Sequence, residues 1–309
     1  MNLSQLLGAM VEINHKNHRP VALVTGASRG VGRAIALALA EGGYDLVITG
    51  RTITEGAGIN PATGHHLPGS LTSTAQSAQQ LGAQCHTVVS DVLDLEDIEP
   101  SFQRCLSATG GRIDLLVNNA IYVGSGNDLR FADSDPRDII RRTTGNFTAP
   151  LLFTHAFLQH ALNNDVHPGT GWRATILNIT SDAGQRIPQQ VAGEGGWSLM
   201  YGATKAGFHR MAEMLALEYG TTGIRAININ PGLVTTERVL DTGVGLQWVA
   251  RSGVAPAVIG ASVLRLLTDQ AIENGSYIHA QQYLAEHLGK IAYQALLLAS
   301  QTVSNGRSS

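Results

Sequence analysis

The feature that most constrains this chain is a junction. An unbroken apolar run, Val21–Thr25, passes directly into Gly26-Ala-Ser-Arg-Gly30-Val-Gly32, and an apolar-periodic segment follows. Such a run reads as a strand buried on both faces, and the segment after it as a helix. Glycines at the junction let the backbone turn sharply and leave room for close approach. The helix that begins there offers unpaired N–H groups and the positive end of its dipole, which together favour a bound phosphate. The spacing is GxxxGxG rather than the more familiar GxGxxG, so the position after a strand and before a helix carries the argument.

The same alternation continues along the 309 residues. Strands are predicted at Val21–Thr25, Leu46–Thr49, Cys85–Ser90, Leu115–Asn118, Thr175–Ile179, Arg225–Asn230 and Ser276–His279. Helices are predicted at Val31–Glu41, Leu71–Leu81, Leu95–Ser107, Pro136–Leu162, Leu199–Tyr219 and Ala257–Thr268. This pattern predicts an α/β fold: a single Rossmann-type, doubly wound domain with a parallel sheet of about seven strands flanked by helices. The expected organisation is a leader over 1–19 and the main domain over 20–284, with halves at about 20–120 and 121–284. A helical extension with a polar tail completes it over 285–309. Two polar, glycine-rich segments, Arg51–Ser70 and Gln185–Leu199, exceed what the alternation needs, as does the helical stretch Gln281–Val303.

Composition narrows the possible roles. Hydrophobic residues make up 43% of the chain, enough for a large core, and the net charge of −3 comes with no basic block. That argues against nucleic acid or an anionic membrane surface as a partner. No apolar run approaches the ~20 residues that span a bilayer. The first residues have no basic start and no clear cleavage site, so they read as a leader and not a signal peptide. Cys85 and Cys105 lack CxxC spacing and are expected to be reduced thiols in a cytoplasmic protein.

Several side chains fall at the expected carboxyl ends of strands, where an open α/β sheet binds ligands. After the second strand stands Thr49-Gly50-Arg51, with no acid to accept bonds from ribose hydroxyls. Arg51 and Arg29 are instead suited to a 2′-phosphate, which favours NADP(H) and leaves NAD(H) as the alternative. Solvated surface arginines would read the same way. Asp91 ends the third strand and suits either the adenine amino group or a plain turn cap. Tyr201 and Lys205 are four apart on one helix face, in a chain with only three lysines. A neighbouring ammonium lowers the pKa of a phenol from its usual ~10, making it a usable acid or base. Ser181, at the end of the fifth strand, can hold a carbonyl oxygen or serve as a simple cap. Asp135-Pro136 reads as a helix start running through Asn146, and Pro150 cannot donate to the Asn146 carbonyl, which is left free to hold a water.

Together these pieces closely resemble the short-chain dehydrogenase/reductase family, from about Pro20 to Tyr283. They occur in family order: TGASRGVG at Thr25–Gly32, Asp91-Val92, Asn118-Asn119-Ala120, NFTAP from Asn146, Ser181, YGATK from Tyr201 and NPGLVTT at Asn230–Thr236. The resemblance implies a catalytic tetrad of Asn146, Ser181, Tyr201 and Lys205. It implies a cofactor site built by Gly26, Ser28, Arg29, Gly30, Val31, Gly32, Arg51, Asp91, Val92, Asn118 and Ala120. Tyr201, Lys205, Pro231, Gly232, Val234 and Thr236 complete that site, the last four around the nicotinamide carboxamide. The implied activity is NADP(H)-dependent hydride transfer to a carbonyl or from a secondary alcohol by a homodimer or homotetramer, with no metal. Ile121 departs from the family's glycine, the Ser181–Tyr201 interval is about seven residues longer than usual, and the last strand lacks the common DGG ending. Two other readings are weighed: a non-catalytic NADPH-binding sensor, which has no need of both Tyr201 and Lys205, and a metal module on His65 and His66, which lack further ligands at metal spacing.

Overall fold

The computed structural model describes residues 19–124, 126, 128–242 and 247–305. Most of the expected leader lies outside them. The chain opens with β1 (Val21–Thr25), α1 (Gly30–Glu41) and β2 (Asp45–Gly50). The insertion that follows carries a two-stranded hairpin, β3 (Gly58–Ile59) and β4 (His66–Leu67), before α2 (Leu71–Gln80). Then come β5 (Cys85–Val89), α3 (Ile98–Ala108), β6 (Leu115–Asn118), α4 (Pro136–Thr143), α5 (Ala149–Ala161) and β7 (Ala174–Ile179). The remainder is α6 (Leu199–Tyr219), β8 (Ile224–Asn230), two short helices α7 (Glu237–Thr242) and α8 (Gln247–Ser252), α9 (Pro256–Thr268), β9 (Tyr277–His279), α10 (Ala280–Leu288) and α11 (Lys290–Asn305).

Seven strands form one parallel sheet in the order β5-β2-β1-β6-β7-β8-β9. The chain builds outward from β1 in one direction, then returns to β6 on its other side. A crevice therefore opens at the carboxyl ends of β1 and β6. Successive side chains of β1 point to opposite faces, so Ala22 and Val24 enter one core while Leu23 enters the other. The first core lies under α1, α2, α9 and α10; the second lies under α3, α5 and α6. Phe102, Phe153 and Phe157 fill the second, each contributing roughly 1.5–3 kcal/mol of burial. The Rossmann-type doubly wound architecture is the one the sequence predicts.

Three departures have physical causes. The single helix expected over 136–162 is interrupted by a π-turn at Thr144–Thr148, where the Ala149 N–H reaches the Thr144 carbonyl. Pro150, with no N–H, sits just beyond that turn. The C-terminal stretch is two helices broken at Gly289, and Leu296 of α11 is buried in the first core. The Arg51–Ser70 segment forms a hairpin whose Leu67 is also buried.

A polar row crosses the middle of this apolar sheet. Asn118, Asn178 and Asn228 are register partners on β6, β7 and β8, and all are buried. Asn118 Nδ2 donates to Asn178 Oδ1 at 3.0 Å, and Asn178 Nδ2 donates to Asn228 Oδ1 at 3.2 Å. Asn228 Nδ2 then donates to the main-chain oxygen of His209 on α6, at 2.6 Å. The amides thus tie three strands and a helix together just below the crevice. Asn178→Leu keeps the volume but strands polar atoms on both neighbours. It is expected to cost roughly 2–4 kcal/mol in urea unfolding; a cost below about 0.5 kcal/mol would refute a structural role for the row.

Candidate active site

The wall of the crevice on the β1 side is set by backbone geometry. Gly26 and Gly30 have φ of 68° and 57°, values that disfavour any side chain. A Cβ on Gly26 would lie 2.8 Å from Ala120 Cα, and one on Gly32 would overlap Asn119 Nδ2 and the Gly26 carbonyl. That closeness is held by hydrogen bonds. Thr25 Oγ1 accepts the N–H groups of Asn119 and Ala120, each at 3.0 Å, and Asn119 Nδ2 donates to the Thr25 carbonyl at 2.8 Å. Ser28 is buried in the loop, and Val31 packs on the first core. The Gly30 N–H, at the start of α1, donates to Glu237 Oε2 at 3.0 Å. A carboxylate therefore rests on the amide cradle, whose donors and close backbone approach fit a dinucleotide phosphate.

The two arginines differ. The Arg29 guanidinium donates to the main-chain oxygens of Pro68 and Gly69, both at 2.9 Å, and burial lowers its pKa. It is thus committed to the insertion and does not project freely into the crevice. Arg51 is exposed and stands 3.8 Å from Asp91 Oδ2. Asp91 Oδ1 caps its own turn by accepting from the Leu93 N–H at 3.0 Å, and Val92 packs near Gly145.

The reactive side chains converge at the end of β7. Ser181 starts a 3₁₀ turn, Asp182–Gly184, its Oγ accepting the Ala183 N–H at 3.2 Å. A Cβ on Gly184 would come within 2.6 Å of the Lys205 carbonyl, so this turn packs directly on the α6 backbone. Ser198 caps α6 by accepting the Tyr201 N–H at 3.3 Å. Tyr201 is partly buried, with the Ser181 hydroxyl as its polar neighbour. Lys205, one turn further, is buried and donates from Nζ to the Ile179 carbonyl at 2.8 Å. Here the structure corrects an expectation. Burial raises the Tyr201 phenol, only the Ser181 hydroxyl lowers it, and the Lys205 charge rests on a carbonyl. Burial in turn pulls the Lys205 ammonium down to about 8.

Asn146 lies in the π-turn, and its side chain clamps the segment after β6: Oδ1 accepts from the Tyr122 N–H at 2.7 Å, while Nδ2 donates to the Tyr122 carbonyl at 3.0 Å. Asn118 belongs to the amide row, and its Oδ1 has no partner. The loop after β8 closes the far side. Gln281 Nε2 donates to the carbonyls of Pro231 and Leu233 at 2.8 and 3.0 Å, and the Gly232 N–H reaches Asn230 Oδ1 at 3.0 Å. Val234 is buried against Val254, and the Thr236 methyl lies 3.3 Å from where a Gly30 Cβ would stand.

Three contributors escape the sequence reading. Asn119 buttresses the glycine loop and was visible only as the middle letter of Asn118–Ala120. Glu237 carries no motif. Asp241 on α7 accepts from Asn60 Nδ2, Thr63 Oγ1 and His65 Nδ1 at 2.7, 2.6 and 2.9 Å, which hold its carboxyl at about 2. His65 is thereby engaged, and His66 Nδ1 lies 2.7 Å from the Gly56 carbonyl. Among the described residues, no group of three His, Cys, Asp or Glu side chains could hold a metal ion, and no helix is long and apolar enough to cross a membrane. Cys85 and Cys105 are buried free thiols, each pushed up to about 12 by burial.

Comparisons with known proteins bear on the family and the fold. A family model described as short chain dehydrogenase matches residues 20–243. The mouse protein named dehydrogenase/reductase SDR family member 1 is 32% identical over 229 residues, 71% of this chain. The match spans 62% of the mouse protein, less than two thirds of its length. Glucose 1-dehydrogenase 2 of Bacillus subtilis is 29% identical over 221 residues, 72% of this chain and 74% of the relative. Among solved structures, a 3-oxoacyl-[acyl-carrier protein] reductase from Brucella melitensis, in complex with NAD, superposes with a TM-score of 0.70 at 27% identity. That match covers 86% of this chain and 96% of the Brucella protein.

The lowered Lys205 value has a testable sign. Between about 8 and its ordinary 10.5 the folded protein holds this site neutral, while the unfolded chain keeps it protonated. Stability supplied through Lys205 therefore rises as pH is raised across that window. Relative to Lys205→Met, the wild type should gain unfolding free energy between pH 7 and pH 9.5, read by parallel denaturant titrations without cofactor. Parallel pH profiles for the two proteins would show that Lys205 does not titrate there.

Proposed function

The chain belongs to the short-chain dehydrogenase/reductase family, and on that premise we propose that it is an NADP(H)-dependent oxidoreductase acting on a carbonyl or a secondary alcohol. The observation that carries the reading is the convergence of Ser181 and Tyr201 at the end of β7, with buried Lys205 one helical turn beyond Tyr201. The glycine cradle opens on the same end of the sheet. A bound nicotinamide supplies or accepts the hydride. Ser181 then orients the substrate oxygen, and Tyr201 delivers a proton to it in reduction or removes one in oxidation. Burial lifts the phenol, and the Ser181 hydroxyl is the neighbour that counters that lift. Asn146, in the π-turn, holds the water through which that proton is replaced. The assignment of NADP(H) is supported by exposed Arg51 at the end of β2, where no acid stands. In the same reading the protein works in the cytoplasm as a homodimer or homotetramer on a small-molecule substrate, without metal or nucleic acid.

Two outcomes test the proposal. Tyr201→Phe should bind dinucleotide as the wild type does and lose about 10²–10⁴-fold in turnover, the range of a general acid–base group; activity within twofold of wild type would remove the role. Arg51→Asp should weaken NADPH at least about tenfold more than NADH in nicotinamide-fluorescence titrations. Equal weakening would place Arg51 away from a 2′-phosphate.

A further inference from the structure

Among the described residues, Arg238 Nε is a buried donor with no hydrogen-bond partner. A buried, unpartnered guanidinium N–H is costly, and its retention calls for a physical reason. Its position supplies one. Arg238 follows Glu237, the residue whose carboxylate rests on the Gly30 amide, and Thr236 packs against the same glycine. The first turn of α7 therefore stands on the phosphate cradle. Arg238 also feels the charges of Arg29 and Arg51, so guanidinium groups from three separate segments share one neighbourhood, and Glu237 is the carboxylate that offsets Arg238. The far end of α7 is held independently, through Asp241, by Asn60, Thr63 and His65 of the insertion.

We propose that Arg238 is a phosphate ligand of the dinucleotide, and that the Glu237 carboxylate occupies the anion seat on Gly30 until a cofactor phosphate displaces it. This rests on the dinucleotide-binding reading above. When Glu237 leaves, Arg238 loses its neighbouring carboxylate, and the arriving phosphate takes that place with more charge and more acceptor oxygens. The phosphate is either the bridging pyrophosphate or the adenosine 2′-phosphate, which share this chemistry.

The test is titration of wild type, Arg238→Met and Glu237→Gln with NADPH and with NADH, alongside thermal unfolding without cofactor. Arg238→Met should leave the midpoint of unfolding unchanged or raised, since it removes an unsatisfied buried donor, while Kd rises at least about tenfold. A rise for both dinucleotides identifies the pyrophosphate; a rise for NADPH alone identifies the 2′-phosphate. Glu237→Gln should tighten both several-fold, because a neutral amide competes less well for the Gly30 N–H. Unchanged affinity for both cofactors in Arg238→Met overturns the assignment, and unchanged affinity in Glu237→Gln overturns the displacement. If the wild type binds neither dinucleotide, the failure is that of the oxidoreductase reading. If it binds and Arg238→Met matches it, only this inference falls.

Discussion

Space is the limiting quantity at the junction of β1, α1 and the end of β6. A single Cβ at Gly26 or Gly32 would collide with the Asn118–Ala120 segment, and Thr25 and Asn119 hold the two sides at that distance by hydrogen bonds. With the gap so small, the first turn of α1 stays open, and its amides face the crevice instead of a side chain. The carboxylate of Glu237 on Gly30 and the approach of Thr236 both follow from that opening.

Much of this was legible in the residues. Strands buried on both faces read as unbroken apolar runs, and the seven-stranded sheet carries them close to the predicted bounds. The Tyr201–Lys205 spacing and the carboxyl-end position of Ser181 were equally plain, because a helix repeats every 3.6 residues and strand ends are marked by the turn. What was not legible depends on contacts between distant segments. The β3–β4 hairpin has two-residue strands, too short for periodicity to register. The π-turn at Thr144–Thr148 displaces a helix by one residue, which leaves the apolar pattern almost intact. The direction of the Tyr201 shift is set by burial and by a lysine that turns to the Ile179 carbonyl, neither of which spacing encodes.

The electrostatics of the crevice come more from burial than from ion pairs. Lys205 is neutralised toward pH 8 by desolvation, and Arg29 and Arg238 are lowered for the same reason. Charge interactions gain strength where such groups are withdrawn from solvent. The insertion after β2 contributes to this enclosure. It takes the Arg29 guanidinium on two of its carbonyls and grips α7 through Asp241, so the glycine loop and α7 are both tied to the insertion.

The row of buried asparagines also bears on how this sequence can change over generations. Each amide donates to the next, so replacing one of Asn118, Asn178 and Asn228 disturbs the bonding of its neighbours. Replacing all three with apolar residues would leave fewer stranded groups, because buried polar atoms are costly chiefly when their partners vanish alone. Viable alternatives therefore lie several substitutions away, across a valley of less stable intermediates. The three codons are bound to one another in inheritance, though fifty or more positions separate each from the next.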